Sequence, residues 1–337
     1  MPASERHPQF SLVLDHATEY TDSRVWSHAS GIRNCYPGQL TNKGKNSMFR
    51  LGKKLSELYV DRLGLINTTL PASQAGVRIL STQVSRTIES AMNLMRGMFP
   101  TWVDGSRPDE QVTFEMRSVD REFLHPSIHQ CPRLAGLWSR KSEAAANSNE
   151  KQAETIMALL RDTVHPVEGL SAQDFYDIIA CHEAHGVSMP PQVDEAVFAE
   201  VARLFTEIWW RFIEGDDAMC RLGSGRLVDK LLKSFADPAG PKLTLYSAHD
   251  STLAFLLSSL GLSNRRWPPC SSQMILELHR DLTAPATDSP LIRLVYNNEV
   301  LAIPGCATSD SGLCRLDTFG HFMEKLRPGN LMEECAA

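Results

Sequence analysis

Three short segments of this chain place side chains able to do chemistry just beyond an apolar run. The first is FSLVLDHATEY (10–20), where His16 ends a strand-like stretch and is flanked by Asp15 and Glu19. The second is STQVSRT (81–87), which carries Arg86, and the third is SAHDS (247–251), which carries His249 and Asp250. An arginine in the first turns of a helix adds a bidentate fork to the free N–H groups and positive dipole end there. Together they form an anion site. A histidine can hold an oxygen of such an anion, and a neighbouring carboxylic acid can protonate a leaving alkoxide. Each segment alone also has a bland reading: a solvated helix-surface arginine, an aspartate that caps a helix, a stray histidine at a strand end. Their recurrence in chain order, each after a predicted strand, is more specific than any one of them.

The elements that must position them follow from apolar spacing. Phe10–Leu14 suits a central parallel strand, apolar on both faces. A helix is expected from Thr41, its N-cap, with Met48, Leu51, Leu55 and Leu58 on one face. VRIL (77–80) reads as a second strand, followed by a helix with the stripe Val84, Ile88, Ala91, Met95 and Met98 and with Ser81 or Thr82 as its cap. The middle, from about 101 to 236, is expected to be helical and without strands; its longest periodic piece is 197–213. Strand character returns at KLTLY (242–246), followed by an apolar helix at 251–260. MILELH (274–279) and LIRLVY (291–296) then read as two strands at a sheet edge. This order predicts an α/β fold: a doubly wound, mostly parallel sheet flanked by helices. Residues 9–100 and 237–335 would form its core and 101–236 a helical cap. Such sheets bind ligands at the carboxyl ends of their strands, where the three segments fall.

Composition limits the partners. At 337 residues, with 42% hydrophobic and 22% charged side chains, the chain is that of an ordinary globular protein with a sizeable core. A net charge of −6 without a Lys/Arg run argues against nucleic acid as a partner. No apolar stretch reaches transmembrane length, and MPASERHPQF has no apolar signal core. As given, the sequence therefore reads as cytosolic or as the mature part of something longer. The eight cysteines form no C-x-x-C pair, and their number alone is consistent with free buried thiols. In CHEAHG (181–186), His182 and His185 share a helix face, but the second arrives one residue early for H-E-x-x-H and no third ligand is evident, so no metal site is expected. Oligomeric state is not legible.

Taken with GQLTNKGKNSMFRLGKKLSELYV (38–60), ILSTQVSRTIESAMNLMRGMFP (79–100), LYSAHDSTLAFLLSSLGL (245–262) and IPGCATSDSGLCRLDTF (303–319), the three segments resemble the histidine acid phosphatases, branch two of the histidine phosphatase superfamily. The similarity is greatest to the lysophosphatidic acid phosphatase-like members and covers nearly the whole chain. It implies a two-step hydrolysis of a small phosphomonoester or lysophospholipid without cofactor or metal. His16 would attack phosphorus and form a phosphohistidine, Asp250 would protonate the leaving alcohol, and Arg86 and His249 would hold the phosphoryl oxygens. It also implies disulfides: Cys306 with Cys314 across a Gly/Ser-rich loop, and Cys131 with Cys335. For Cys181 the family's partner position holds Gln273, with Cys270 three residues earlier. Asn67-Thr68-Thr69 is a glycosylation sequon, usable only in a secreted chain, so compartment stays open.

The sequence departs from the family at its first motif, R-H-G-x-R-x-P. Asp15 and Glu19 stand where two clamping arginines belong, and Ala17 replaces the glycine. Losing one preorganised donor to a developing oxyanion costs roughly 10²–10³ in rate. Carboxylates beside His16 also favour the non-nucleophilic imidazolium. Two expectations follow: a phosphomonoesterase weakened at its clamp, with Arg24 or Arg33 as substitutes, or a pseudophosphatase that binds a phosphate-containing ligand or partner.

Overall fold

The computed structural model describes residues 10–15, 38–70, 75–103, 112–126, 128–141, 143–144, 172–188, 193–281, 290–306 and 311–336, with the backbone alone for 10–15, 172–175, 208 and 212. His16, Glu19, Arg24, Arg33 and Cys35 lie outside the described residues.

Four strands form a parallel sheet: β1 (Phe10–Asp15), β2 (Val77–Ser81), β3 (Val112–Arg117) and β4 (Leu243–Ser247), in the spatial order β1-β3-β2-β4. β3 corrects the expectation that 101–236 holds no strand. Its sequence, VTFEMR, alternates: Val112, Phe114 and Met116 are buried, while Glu115 and Arg117 are half-buried on the other face. Arg78 of β2 lies beside Glu115 and donates to both its carboxylate oxygens at 2.6 and 2.7 Å, which makes the charge tolerable within the sheet.

Helices α1 (Asn42–Leu55) and α2 (Ser85–Met98) cover one face of this sheet. Thr41 caps α1 as expected, its hydroxyl accepting from the Gly44 N–H at 3.2 Å. The stripe Ile88, Ala91, Met95 and Met98 is buried. The helices meet backbone to backbone. A methyl group on Gly97 would stand 2.0 Å from the Phe49 carbonyl oxygen, and one on Gly52 2.1 Å from that of Leu94. After Leu55 the chain widens into a π-helical turn, Ser56–Arg62. Its longer period turns Leu58 out to solvent, against expectation, and Tyr59 and Val60 pack on the core in its place.

A short turn of helix, α3 (Pro100–Val103), closes this half. The helical block follows: α4 (described over 132–141), α5 (Ala172–His185), α6 (Glu195–Ile213) and α7 (Asp217–Ala236). Asp194 and Asp216 cap α6 and α7 by accepting from Val197 and Met219 N–H groups. α8 (Asp250–Ser259) packs on α7.

β5 (Met274–His279) and β6 (Leu291–Tyr296) are strands as expected but do not extend the parallel sheet. With β7 (Glu299–Leu301) and β8 (Leu313–Arg315) they form a second, antiparallel sheet, followed by α9 (Leu316–Glu324) and α10 (Leu331–Ala336). Glu277 ties this sheet to the π-helical turn, accepting from Tyr59 at 2.5 Å and from Arg293 at 2.6 Å. Two disulfides, Cys131–Cys335 and Cys306–Cys314, match the pairs implied by the resemblance. Cys181, Cys220 and Cys270 are free thiols.

Candidate active site

The ends of β2 and β4 are stitched together. Ser81 and Ser247 are register partners, and the Thr82 N–H donates to the Ser247 carbonyl at 3.2 Å. Ser247 in turn donates its hydroxyl to the Thr87 carbonyl at 2.7 Å. This junction fixes the start of α2 beside the start of α8, so Arg86 and the His249–Asp250 pair leave the same end of adjacent strands.

Ser81 and Thr82 do not cap α2. Val84 holds the N-cap position without a side-chain bond, which leaves the first N–H groups of the helix open to an anion. Thr82 is used elsewhere: its hydroxyl is 2.8 Å from Thr87 Oγ1 and 3.1 Å from His249 Nε2. Arg86, in the first turn, is exposed and reaches toward Gly38, where an added methyl would lie 3.7 Å from its Nη1.

His249 is held from three sides. Thr82 bonds its ring, and the ring of His125 meets it edge-on at 5.1 Å. Its backbone N–H donates to Thr252 Oγ1 at 3.2 Å. The Thr252 hydroxyl in turn donates to the Leu124 carbonyl, which seats the 123–125 stretch against α8. His125 is itself oriented by donation from Nδ1 to the Pro126 carbonyl at 2.9 Å.

Asp250 is the first residue of α8, with His249 at the cap position. Its Oδ1 accepts from the Ser251 N–H at 2.7 Å and its Oδ2 from the Trp267 indole N–H at 2.8 Å. Trp267 is buried among aromatic rings of α6: Phe205 at 5.3 Å, Trp209 at 4.8 Å and Trp210 at 6.4 Å. Tyr176 of α5 stacks on Phe205 at 4.1 Å. The helical block therefore sets the position of the carboxyl group through one indole.

The structure thus brings together three of the expected residues, Arg86, His249 and Asp250. The fourth, His16, follows β1, and β1 stands at the opposite edge of the sheet from β4, three strand spacings or roughly 14 Å away. The register partner of Asp15 is Arg117, a cation at the end of β3 that the sequence reading passed over. Trp267, His125 and Thr82 were also missed as site residues, although RWPP and LHPS flank the aromatic and histidine positions. The histidines of CHEAHG have another use: His185 Nε2 lies 3.1 Å from Thr41 Oγ1. Among the described residues no three His, Cys, Asp or Glu side chains are placed to hold a metal ion.

The family model of the histidine phosphatase superfamily, branch 2, matches residues 12–207 and 219–297. The chain belongs to that superfamily. Among curated proteins it is 25% identical over 301 residues to lysophosphatidic acid phosphatase type 6 of Pongo abelii, covering 84% of this chain and 65% of that one. It is 28% identical over 324 residues to lysosomal acid phosphatase of Bos taurus, covering 88% and 72%. The chain thus spans less than two thirds of the length of the first of these. Among solved structures, the phytase of Citrobacter braakii superposes with a TM-score of 0.66 at 13% identity over 92% of both chains, a likeness of fold. Within this member of the superfamily, Arg86, His249 and Asp250 occupy the S-T-x-x-x-R-T and H-D segments on which the resemblance rests.

Proposed function

We propose that this branch-2 histidine phosphatase binds and hydrolyses phosphomonoesters at the Arg86–His249–Asp250 site. The observation that carries this reading is the stitched end of β2 and β4, which sets a cation, an uncapped helix N-terminus, a histidine and an oriented carboxyl group side by side. Arg86 and the α2 N–H groups receive the phosphoryl oxygens, His249 holds another, and Asp250 faces the leaving oxygen. His16 is the nucleophile in this reading, and Arg117 is the cation closest in the sheet to the strand that precedes it. Lysophosphatidic acid, the substrate named for one relative, is the phosphomonoester this reading takes as its example. An aryl phosphate assay tests the reading: His16→Ala and Asp250→Asn should each reduce turnover at least about 100-fold.

A second reading is binding without efficient turnover. The position of β1 at the far edge from β4, with Asp15 and Glu19 in place of clamping arginines, favours it. It predicts a wild-type protein that binds phosphate at Arg86 but does not release product. Asp15→Arg together with Glu19→Arg should then raise phosphate affinity. A wild-type rate typical of acid phosphatases rules it out.

A further inference from the structure

The segment between the π-helical turn and β2 carries a chemical handle that the active site does not use. Asn67-Thr68-Thr69 is an N-x-T sequon with no proline inside it or directly after it. It folds as a four-residue turn, closed by donation from the Leu70 N–H to the Asn67 carbonyl at 3.3 Å. The turn is held at both ends. Ile66 before it is buried, and the buried Trp102 of α3 donates its indole N–H to the Leu70 carbonyl at 3.1 Å. Between these anchors Asn67 and Thr69 are exposed.

The turn also orients the asparagine. Thr69 donates twice to Asn67 Oδ1, from its backbone N–H at 3.0 Å and from its hydroxyl at 2.7 Å. Both bonds take the carboxamide oxygen, and the carboxamide nitrogen has no hydrogen-bond partner among the described residues. A side chain held by its oxygen in this way presents its nitrogen outward.

Two further observations say which modification fits. The disulfides Cys131–Cys335 and Cys306–Cys314 are of the kind that forms in oxidising compartments, the secretory lumen among them, where oligosaccharides are also transferred to asparagine. The surface beside the turn is apolar. Leu63 is 62% exposed, Leu58 and Leu70 are exposed as well, and the Leu63 N–H donates to the Leu58 carbonyl at 3.0 Å. Exposed leucines gathered along one short stretch promote association unless something covers them.

We propose that Asn67 is N-glycosylated and that its glycan covers the surface at Leu58, Leu63 and Leu70. The Asn67 nitrogen forms a bond to the anomeric carbon of an oligosaccharide carried on a polyprenyl diphosphate. The bond from that carbon to the diphosphate oxygen breaks, the diphosphate leaves with the electron pair, and the amide gives up a proton. The glycan leaves the phosphate site open. Arg86 lies in the first turn of α2, whereas Trp102, which holds the sequon turn, follows its far end, and a helix of 14 residues is about 21 Å long. The proposal does not depend on turnover at that site.

Mass spectrometry of the protein isolated from the cells that make it tests the assignment. Peptide N-glycosidase in heavy-oxygen water should remove an oligosaccharide mass and leave a labelled carboxyl group at position 67. In the full chain secreted from a eukaryotic host behind a cleavable leader, Asn67→Gln and Thr69→Ala should each lose that mass completely. Thr69→Ser keeps the hydroxyl and should retain it. Both positions are exposed, so the fold should persist by circular dichroism. Enzymatic removal of the glycan from the folded protein should speed its aggregation on warming, read by light scattering, and Leu63→Ser should reduce that difference. Three results overturn the proposal. They are an unmodified Asn67 in the protein from its own cells, a glycan retained by Thr69→Ala, and aggregation indifferent to the glycan.

Discussion

At the scale of single residues, the site depends on groups that orient the reacting ones. Asp250 has two oxygens and both are engaged, one by the adjoining backbone and one by Trp267, so the carboxyl group has a fixed direction before any ligand arrives. Replacing Trp267 with Phe keeps most of the ring's burial and removes the N–H. A misdirected proton donor costs roughly 10–100-fold in turnover. We expect Trp267→Phe to lower kcat by about that factor, with KM nearly unchanged, in steady-state assays with an aryl phosphate. A purely structural role for Trp267 would lower stability and leave kcat alone. Arg86, His249 and Asp250 were legible in the sequence because they sit in short segments after predicted strands. Trp267, His125 and Thr82 were not, because their part depends on which rings and hydroxyls the fold brings within 3 to 5 Å, and no spacing along the chain encodes that.

At the scale of elements, α2 carries Arg86, and its position depends on how closely it can approach α1. Gly97 and Gly52 let the two backbones touch, and a methyl group at either would overlap a carbonyl oxygen rather than a movable side chain. Gly97→Ala should therefore force the helices apart and destabilise the protein by about 1–3 kcal/mol or more, read from chemical denaturation. Phosphate affinity should fall with it, as Arg86 shifts. α1, α2, α6, α8 and five of the strands were legible from apolar periodicity, whereas α9 and α10 were not foreseen. β3 escaped notice because half its residues are polar, though VTFEMR has the two-residue period of a half-buried strand. Its Glu115 is acceptable there only because Arg78 of the neighbouring strand meets it. Leu58 was misplaced because a helical stripe assumes a constant period, and the π-helical turn breaks it.

At the scale of the whole molecule, one buried cluster from Leu80 of β2 through Phe205 of α6 and Phe255 of α8 to Ile292 of β6 joins the two sheets and the helical block, and long-range covalent and polar ties reinforce it. One is the disulfide between Cys131, just before α4, and Cys335 in α10, a separation of 204 residues. Arg221 adds a bidentate pair to Glu334 at 2.6 and 2.7 Å, beside the same disulfide. Cys335→Ser should lower stability by about 2–5 kcal/mol, measured by thermal or denaturant unfolding under non-reducing conditions. The two sheets were not legible as separate, since a strand pair with a short connection fits a sheet edge equally well. Strand order is the other feature that sequence could not supply. It places β1 opposite β4, and so makes the contribution of His16 the point on which catalysis turns. The central claim is that Arg86, His249 and Asp250 form a working phosphomonoesterase site. The most direct measurement is turnover of an aryl phosphate by the wild-type chain and by Asp250→Asn under the same conditions. The account predicts measurable wild-type hydrolysis that falls at least about 100-fold in Asp250→Asn. No wild-type turnover, or turnover that Asp250→Asn leaves unchanged, contradicts it.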